Sequence, residues 1–175
     1  MQQAIGGFVA ALLLVAPPAT AAPPATVAAE AASIRTVGGM QAGAWNLWSL
    51  GEWGDFFHLP HAGAHRVRVQ CFGSPADGVW PAMAFLVDGR VRETVIIDHR
   101  EPREHAFTFE PDAAHHRLTV SFQNDALTDT EDRNLYLVRM TVEPIGDGPA
   151  PAVSTERAWR ETWGKQKAEA ETMIL

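Results

Sequence analysis

The chain has 175 residues with 14 Lys+Arg against 21 Asp+Glu, a formal net charge of -7. That size fits one domain with tails, and 46% hydrophobic with 20% charged residues is a globular composition. The charge balance argues against a binder of phosphate backbones, which needs a basic face, and it permits divalent cations and neutral ligands such as sugars. The single cysteine, Cys71, excludes an intramolecular disulfide, CxxC zinc sites, iron–sulfur clusters and CxxCH haem attachment.

Residues 1–29 contain no Asp, Glu, Lys or Arg. The apolar run Ile5–Ala16 is 12 residues long, short of the about 20 that span a bilayer. Pro17-Pro18 ends it, and Ala19-Thr20-Ala21 offers an A-x-A-like cleavage site. Residues 1–21 therefore read as a secretory signal peptide, with a secreted or periplasmic product starting near Ala22. The n-region Met1–Ala4 lacks the usual Lys or Arg, so an uncleaved anchor is the other reading. Residues 22–35 are predicted to be a flexible, Pro- and Ala-rich lead-in. In an oxidising compartment a lone Cys71 is expected to be buried and inert.

Strand signals run through residues 36–145. Trp45–Leu50 and Phe56–Leu59 come first, followed by the turn Pro60–Gly63. His65–Gly73 alternates strictly, with Val67, Val69 and Cys71 inward. Ala82–Val87 runs into Asp88-Gly89, a hairpin turn, and Val91–Ile97 follows. His105–Phe109, Arg117–Phe122 and Leu135–Val142 complete about eight strands with no convincing helix between them. The fold class is all-β, an antiparallel jelly-roll-like β-sandwich. Residues 146–175 read as a linker and a C-terminal helix, capped by Ser154 or Thr155. That helix either packs back on the sandwich or docks a protein partner through Trp159 and Trp163, with residues 150–175 as the contact segment.

The densest polar cluster is Asn124–Asn134, between two strands. It holds Asp125, Asp129, Glu131 and Asp132, flanked by the amides of Asn124 and Asn134. A hard cation such as Ca²⁺ takes six to eight oxygens of these kinds. Without a cation, so many carboxylates in one turn repel. The spacing is not that of an EF-hand, and a solvated acidic loop is the alternative.

Phe122-Gln123-Asn124-Asp125 and Asp132-Arg133-Asn134-Leu135 resemble the F-x-N-D … D-R-N-L signature of calcium-dependent xylan-binding carbohydrate-binding modules. Gly38–Met40, Trp45–Ser49, Val67–Val69 and Val87–Gly89 are similar to the same group, and the resemblance spans residues 36–144. It implies a β-sandwich and a bound Ca²⁺ that coordinates vicinal sugar hydroxyls. By position it implies Asp125, Asp132 and Asn134 as metal ligands, with Asn124 and Asp129 as further candidates, and a glycan or polysaccharide as partner. Arg133 is expected to pair with the carboxylates of its own loop. Relatives often carry an acid where this chain has Trp80, within Gly78-Val79-Trp80-Pro81. Trp80 is then either a sugar-stacking platform or a rim residue covering the sandwich edge.

Other constellations carry less. His58-x2-His61-x3-His65 crosses a turn, so its rings share no face by periodicity. His99, His115 and His116 fall at apparent turns and read as surface residues. Trp45, Trp48 and Trp53 read as core and edge packing. Ser74 and Ser121 lack a G-x-S-x-G context, and no HExxH, P-loop or GxGxxG occurs, so no enzyme is expected. The functional expectation is a secreted, non-catalytic, Ca²⁺-dependent glycan-binding module. Its rival is an accessory subunit of an exported complex, docked through the C-terminal helix.

Overall fold

Alternating apolar residues set the strands, and two sheets bury their apolar faces against each other. A computed structural model of the chain describes residues 22–60 and 63–172. The signal-peptide reading of residues 1–21, and His61, lie outside the described residues. The elements are β1 (Ala25–Ala28), β2 (Ile34–Arg35), β3 (Gly39–Gln41), β4 (Ala44–Leu47), β5 (Gly51–His58), β6 (His65–Ser74), β7 (Ala82–Val87), β8 (Arg90–Ile96), β9 (Arg103–Phe109), β10 (His115–Phe122), β11 (Asn134–Pro144), β12 (Ala152–Val153) and α1 (Glu156–Thr172).

One sheet runs β3-β4-β11-β6-β9, with β1 also paired to β11. The other runs β12-β5-β10-β7-β8, with β2 also paired to β5. The strand pairs are antiparallel, so the chain is the all-β sandwich its alternation predicts. Val67, Val69, Cys71, Phe107, Leu135 and Leu137 of the first sheet face Trp53, Phe57, Phe85, Leu118, Val120 and Phe122 of the second. Phe85 and Phe107 stack with ring centroids 4.8 Å apart. Each such side chain, fully buried, stabilises the fold by about 1.5–3 kcal/mol. β11 shifts register between Leu137 and Arg139. That bulge changes the inward parity, so Leu135 and Leu137 before it and Met140 and Val142 after it all stay in the core. Cys71 is buried, and burial pushes its thiol up to about 12, so it is inert as expected.

Residues 22–35 are not the flexible lead-in predicted from their composition. Ala25 and Val27 alternate inward on β1, and Ala29 and Ala32 are buried after it. The Trp53 indole donates to the Ala29 carbonyl at 3.0 Å. Asp55, itself buried, accepts from the Ser33 amide at 3.1 Å and from the Ser33 hydroxyl. Small side chains hide this segment from a composition argument while fitting it tightly to the sheet edge.

The Asp88-Gly89 hairpin forms with both residues at positive φ, 52° and 77°, the conformation that a two-residue primed turn needs. Thr155 caps α1, its hydroxyl accepting from the Ala158 amide at 3.2 Å. α1 packs back on its own sandwich. Trp159 lies against Phe56, with centroids 5.5 Å apart, and its indole donates to Asp88 Oδ1 at 2.7 Å. Trp163 stacks on Trp159, and Gln166 donates to the Asp112 carbonyl. Of the two readings for the C-terminal helix in residues 150–175, packing back on the sandwich is the one observed at Trp159, while Trp163 stays 39% exposed. Among the described residues, no helix is long and apolar enough to cross a membrane.

Candidate functional site

The Asn124–Asn134 loop joins β10 to β11 at one end of the sandwich, beside the 75–81 connection between β6 and β7. Asp77 and Gly78, at φ 51° and 70°, turn that connection back so that Ala76 and Val79 bridge. Arg133 fastens the two segments. Its Nε donates to the Val79 carbonyl (2.8 Å), Nη2 to Ala76 (2.8 Å) and Nη1 to Asn124 (2.6 Å). This corrects the expected pairing of Arg133 with neighbouring carboxylates. The guanidinium is buried, where three backbone carbonyls already accept its fixed fork of donors, while the acids stay in solvent. Asn124 reinforces the joint. Its Oδ1 accepts from the Ala82 amide (2.6 Å) and its Nδ2 donates to the Trp80 carbonyl (3.0 Å).

The loop itself is a small hairpin. Leu127 and Asp132 bridge, and Thr128 Oγ1 accepts from the Glu131 amide at 2.9 Å. Glu131 reaches across to accept from the Asp77 amide at 2.7 Å. Asp125, Asp129 and Asp132 are exposed, and their carboxylates have no hydrogen-bond or ion-pair partner. Asn134 opens β11. Its Nδ2 donates to the Asp132 carbonyl at 3.3 Å, but its Oδ1 is buried without a partner. Such an oxygen loses its water and gains nothing within the protein. The loop thus gathers hard oxygen donors on a fixed frame. No three of its carboxylates approach within 4.8 Å of one another.

Trp80 is half-buried at the edge of this frame, with the Arg100 guanidinium 5.7 Å from its ring centroid. Val79 and Leu127 are exposed beside it on the two clamped segments. The family of Ca-dependent carbohydrate-binding modules described as xylan-binding (CBM60) matches residues 66–156, more than half of the chain. The chain belongs to this family.

The module is also similar in fold to the CBM36-1 domain of a multidomain xylanase from the hindgut metagenome of Trinervitermes trinervoides. That likeness has a TM-score of 0.53 at 10% identity and covers 71% of this chain and all of that domain. The insecticidal delta-endotoxin Cry8Ea1 from Bacillus thuringiensis matches with a TM-score of 0.54 at 15% identity over 69% of this chain. The module spans about a quarter (24%) of that toxin. Both likenesses are of the sandwich fold. No curated protein matches the chain.

Elsewhere the structure assembles histidines that the sequence leaves scattered. His116, read as a surface residue, is buried, with Asp88 Oδ2 2.7 Å from Nδ1 and the Ala113 carbonyl 3.1 Å from Nε2. Asp112 lies 3.8 Å from that same Nε2. Among the described residues this is the one group whose three His or acid ligand atoms lie within 4.8 Å. An ion needs lone pairs that converge, whereas acceptors sit at both edges of this ring. We read it as a hydrogen-bonded pair that fastens the β7–β8 turn under α1. His99 is also buried. Its Nδ1 faces the Glu101 carbonyl, and its Nε2 meets His105 Nε2 at 2.9 Å. His58 stacks on His115 and His65 is buried, and among the described residues no three of these side chains group as metal ligands. Trp53 is core, Trp45 is half-buried, and Trp48 is half-exposed.

Proposed function

We propose that the chain is an exported, non-catalytic module that holds a neutral, xylan-like glycan through Ca²⁺ bound at the Asn124–Asn134 loop. The observation that carries this is the buried, unpartnered Asn134 Oδ1 on the same short loop as the unpartnered carboxylates of Asp125, Asp129 and Asp132. These are hard oxygen donors, the set that Ca²⁺ prefers. Asp125, Asp132 and Asn134 would hold the ion, with Asp129 at the rim. Asn124 contributes chiefly by tying the loop to Trp80 and Ala82. A bound Ca²⁺ supplies open coordination positions that two adjacent sugar hydroxyls can fill.

The chain's own part is placement. Arg133 holds the two segments together, so the loop is ordered before a ligand arrives and less entropy is lost on binding. Trp80 presents an aromatic surface next to the loop, suited to the apolar face of a pyranose. The apolar run Ile5–Ala16 and the Ala19-Thr20-Ala21 site support export, the setting in which a polysaccharide is met. Thermal unfolding with and without Ca²⁺ tests the reading first. A rise in Tm that is saturable and reversed by EDTA supports it, and an unchanged Tm at millimolar Ca²⁺ counts against it.

A further inference from the structure

The outer face of the second sheet carries a groove beside the acidic loop. β5, β10 and β7 align Gly54 with Thr119 and Leu86, and Glu52 with Ser121 and Ala84. These positions point away from the core residues Trp53, Val120 and Phe85. Most are small. Gly54 must be, since a Cβ there would meet the Leu118 carbonyl at 2.2 Å. Leu50, Glu52 and Gln123 stand around a groove of about 360 Å³ whose base is formed by the buried Leu86 and Ser121. That lies within the range of ligand sites. α1 covers the sheet's far end, where Trp159 sits on Phe56 and Asp88. At the near end Gln123 is followed in the chain by Asn124 and Asp125 of the acidic loop.

We propose that this groove is a second glycan subsite, occupied by the sugars of a chain whose neighbouring unit is held at the acidic loop. The inference rests on the glycan-binding reading of that loop. The groove's chemistry suits a neutral polyhydroxyl chain. Glu52 Oε2 accepts from Arg117 Nη2 (2.7 Å) and from the Thr119 hydroxyl (2.9 Å), so its charge is balanced and its position fixed. Its Oε1 has no partner and remains an acceptor for a sugar hydroxyl. The Gln123 amide donates to the Ser121 hydroxyl, which leaves Gln123 Oε1 as a second acceptor. Leu50, 60% exposed, offers an apolar wall to sugar C–H faces. A groove that adjoins the loop through Gln123 makes affinity rise with chain length, because the added sugars bind without a second cost of association.

Calorimetry of the full chain with xylobiose and with xylohexaose, in Ca²⁺ and in EDTA, tests this. Leu50→Ala with Gln123→Ala trims two exposed side chains and leaves the core untouched. Ser121→Leu is a second variant, which fills the groove from its floor. Expected in Ca²⁺ is hexaose binding weakened roughly three- to tenfold by either change, the loss of one or two hydrogen bonds or contacts, with xylobiose unchanged. Equal hexaose affinity in wild type and the double variant overturns the groove. Hexaose binding that survives EDTA but weakens in the variants keeps the groove and overturns the ion-loop reading. No binding by the wild type, with or without Ca²⁺, overturns both.

Discussion

Arg133 donates from Nε to the Val79 carbonyl at 2.8 Å, across 54 residues of sequence, and so joins the acidic loop to the loop that carries Trp80. Its other two donors reach Ala76 and Asn124. Arg133→Ala would leave three carbonyls short of a donor in a buried place, costing about 2–4 kcal/mol in urea unfolding. Arg133→Lys is expected to recover little, since one ammonium cannot match a planar fork that bonds three separated acceptors. Wild-type stability in Arg133→Ala would show that the clamp contributes nothing.

Asn134 separates metal binding from folding. Its Oδ1 has no partner and its amide makes one long hydrogen bond of 3.3 Å. Asn134→Ala is therefore expected to shift stability by less than about 1 kcal/mol without metal. The same change is expected to weaken Ca²⁺ roughly tenfold or more, as even groups one step removed from a metal do. Equal Ca²⁺ affinity in the variant and the wild type would remove Asn134 from the ligand set.

Asp88 links α1 to acid. Burial pushes its carboxyl up, but the hydrogen bond from His116, the Arg117 amide, the His116 charge and the Trp159 indole together outweigh burial and hold it below its ordinary value of 3.8. The folded state thus prefers the carboxylate more than the unfolded chain does. That preference stabilises the fold above about pH 4 and is lost as pH falls through the lowered value. Asp88→Asn is expected to move the Trp159 indole N–H resonance at neutral pH, because its hydrogen bond passes to a neutral amide. An unmoved resonance contradicts the link.

His105 acts in the other part of the pH range. Burial, then the neighbouring His99 charge and Arg103, hold it below its ordinary value of 6.5 against the opposing pull of Asp98. His115 moves the same way, through burial and then His58 and His116, against Glu161. In both, the unfolded chain takes up a proton more readily than the folded one. Their contribution is therefore full above about pH 6.5 and falls as pH drops toward the lowered values. His105→Gln is expected to flatten the loss of Tm between about pH 7 and 5 relative to wild type. Parallel profiles would assign that loss elsewhere.

The strands were legible where large apolar side chains alternate, as at Val67, Val69 and Cys71, and where turn chemistry is local, as at Asp88-Gly89. β1 was not, because its inward side chains are only Ala25 and Val27, too little apolar area to stand out from a linker composition. The acidic loop was visible as a cluster, since its acids are neighbours in sequence. Its fastening was not. Arg133 among acids suggests ion pairs, and the carbonyls it meets at Ala76 and Val79 come from more than fifty residues away. The pairs His99–His105 and His116–Asp88 were hidden for a similar reason: the strands and turns that bring them together form only in the folded chain. The groove beside Glu52 and Ser121 depends on three strands aligning small residues on one face, which periodicity in a single strand cannot reveal.

The central claim is that the Asn124–Asn134 loop holds a calcium ion. Its most direct test is calorimetric titration of the chelator-treated full chain with Ca²⁺, alongside an Asp125→Ala, Asp132→Ala double variant. The account predicts one ion bound per wild-type chain and no saturable heat in the variant, with both proteins folded by far-UV circular dichroism. Absence of binding by the wild type, or unchanged binding in the variant, would contradict it.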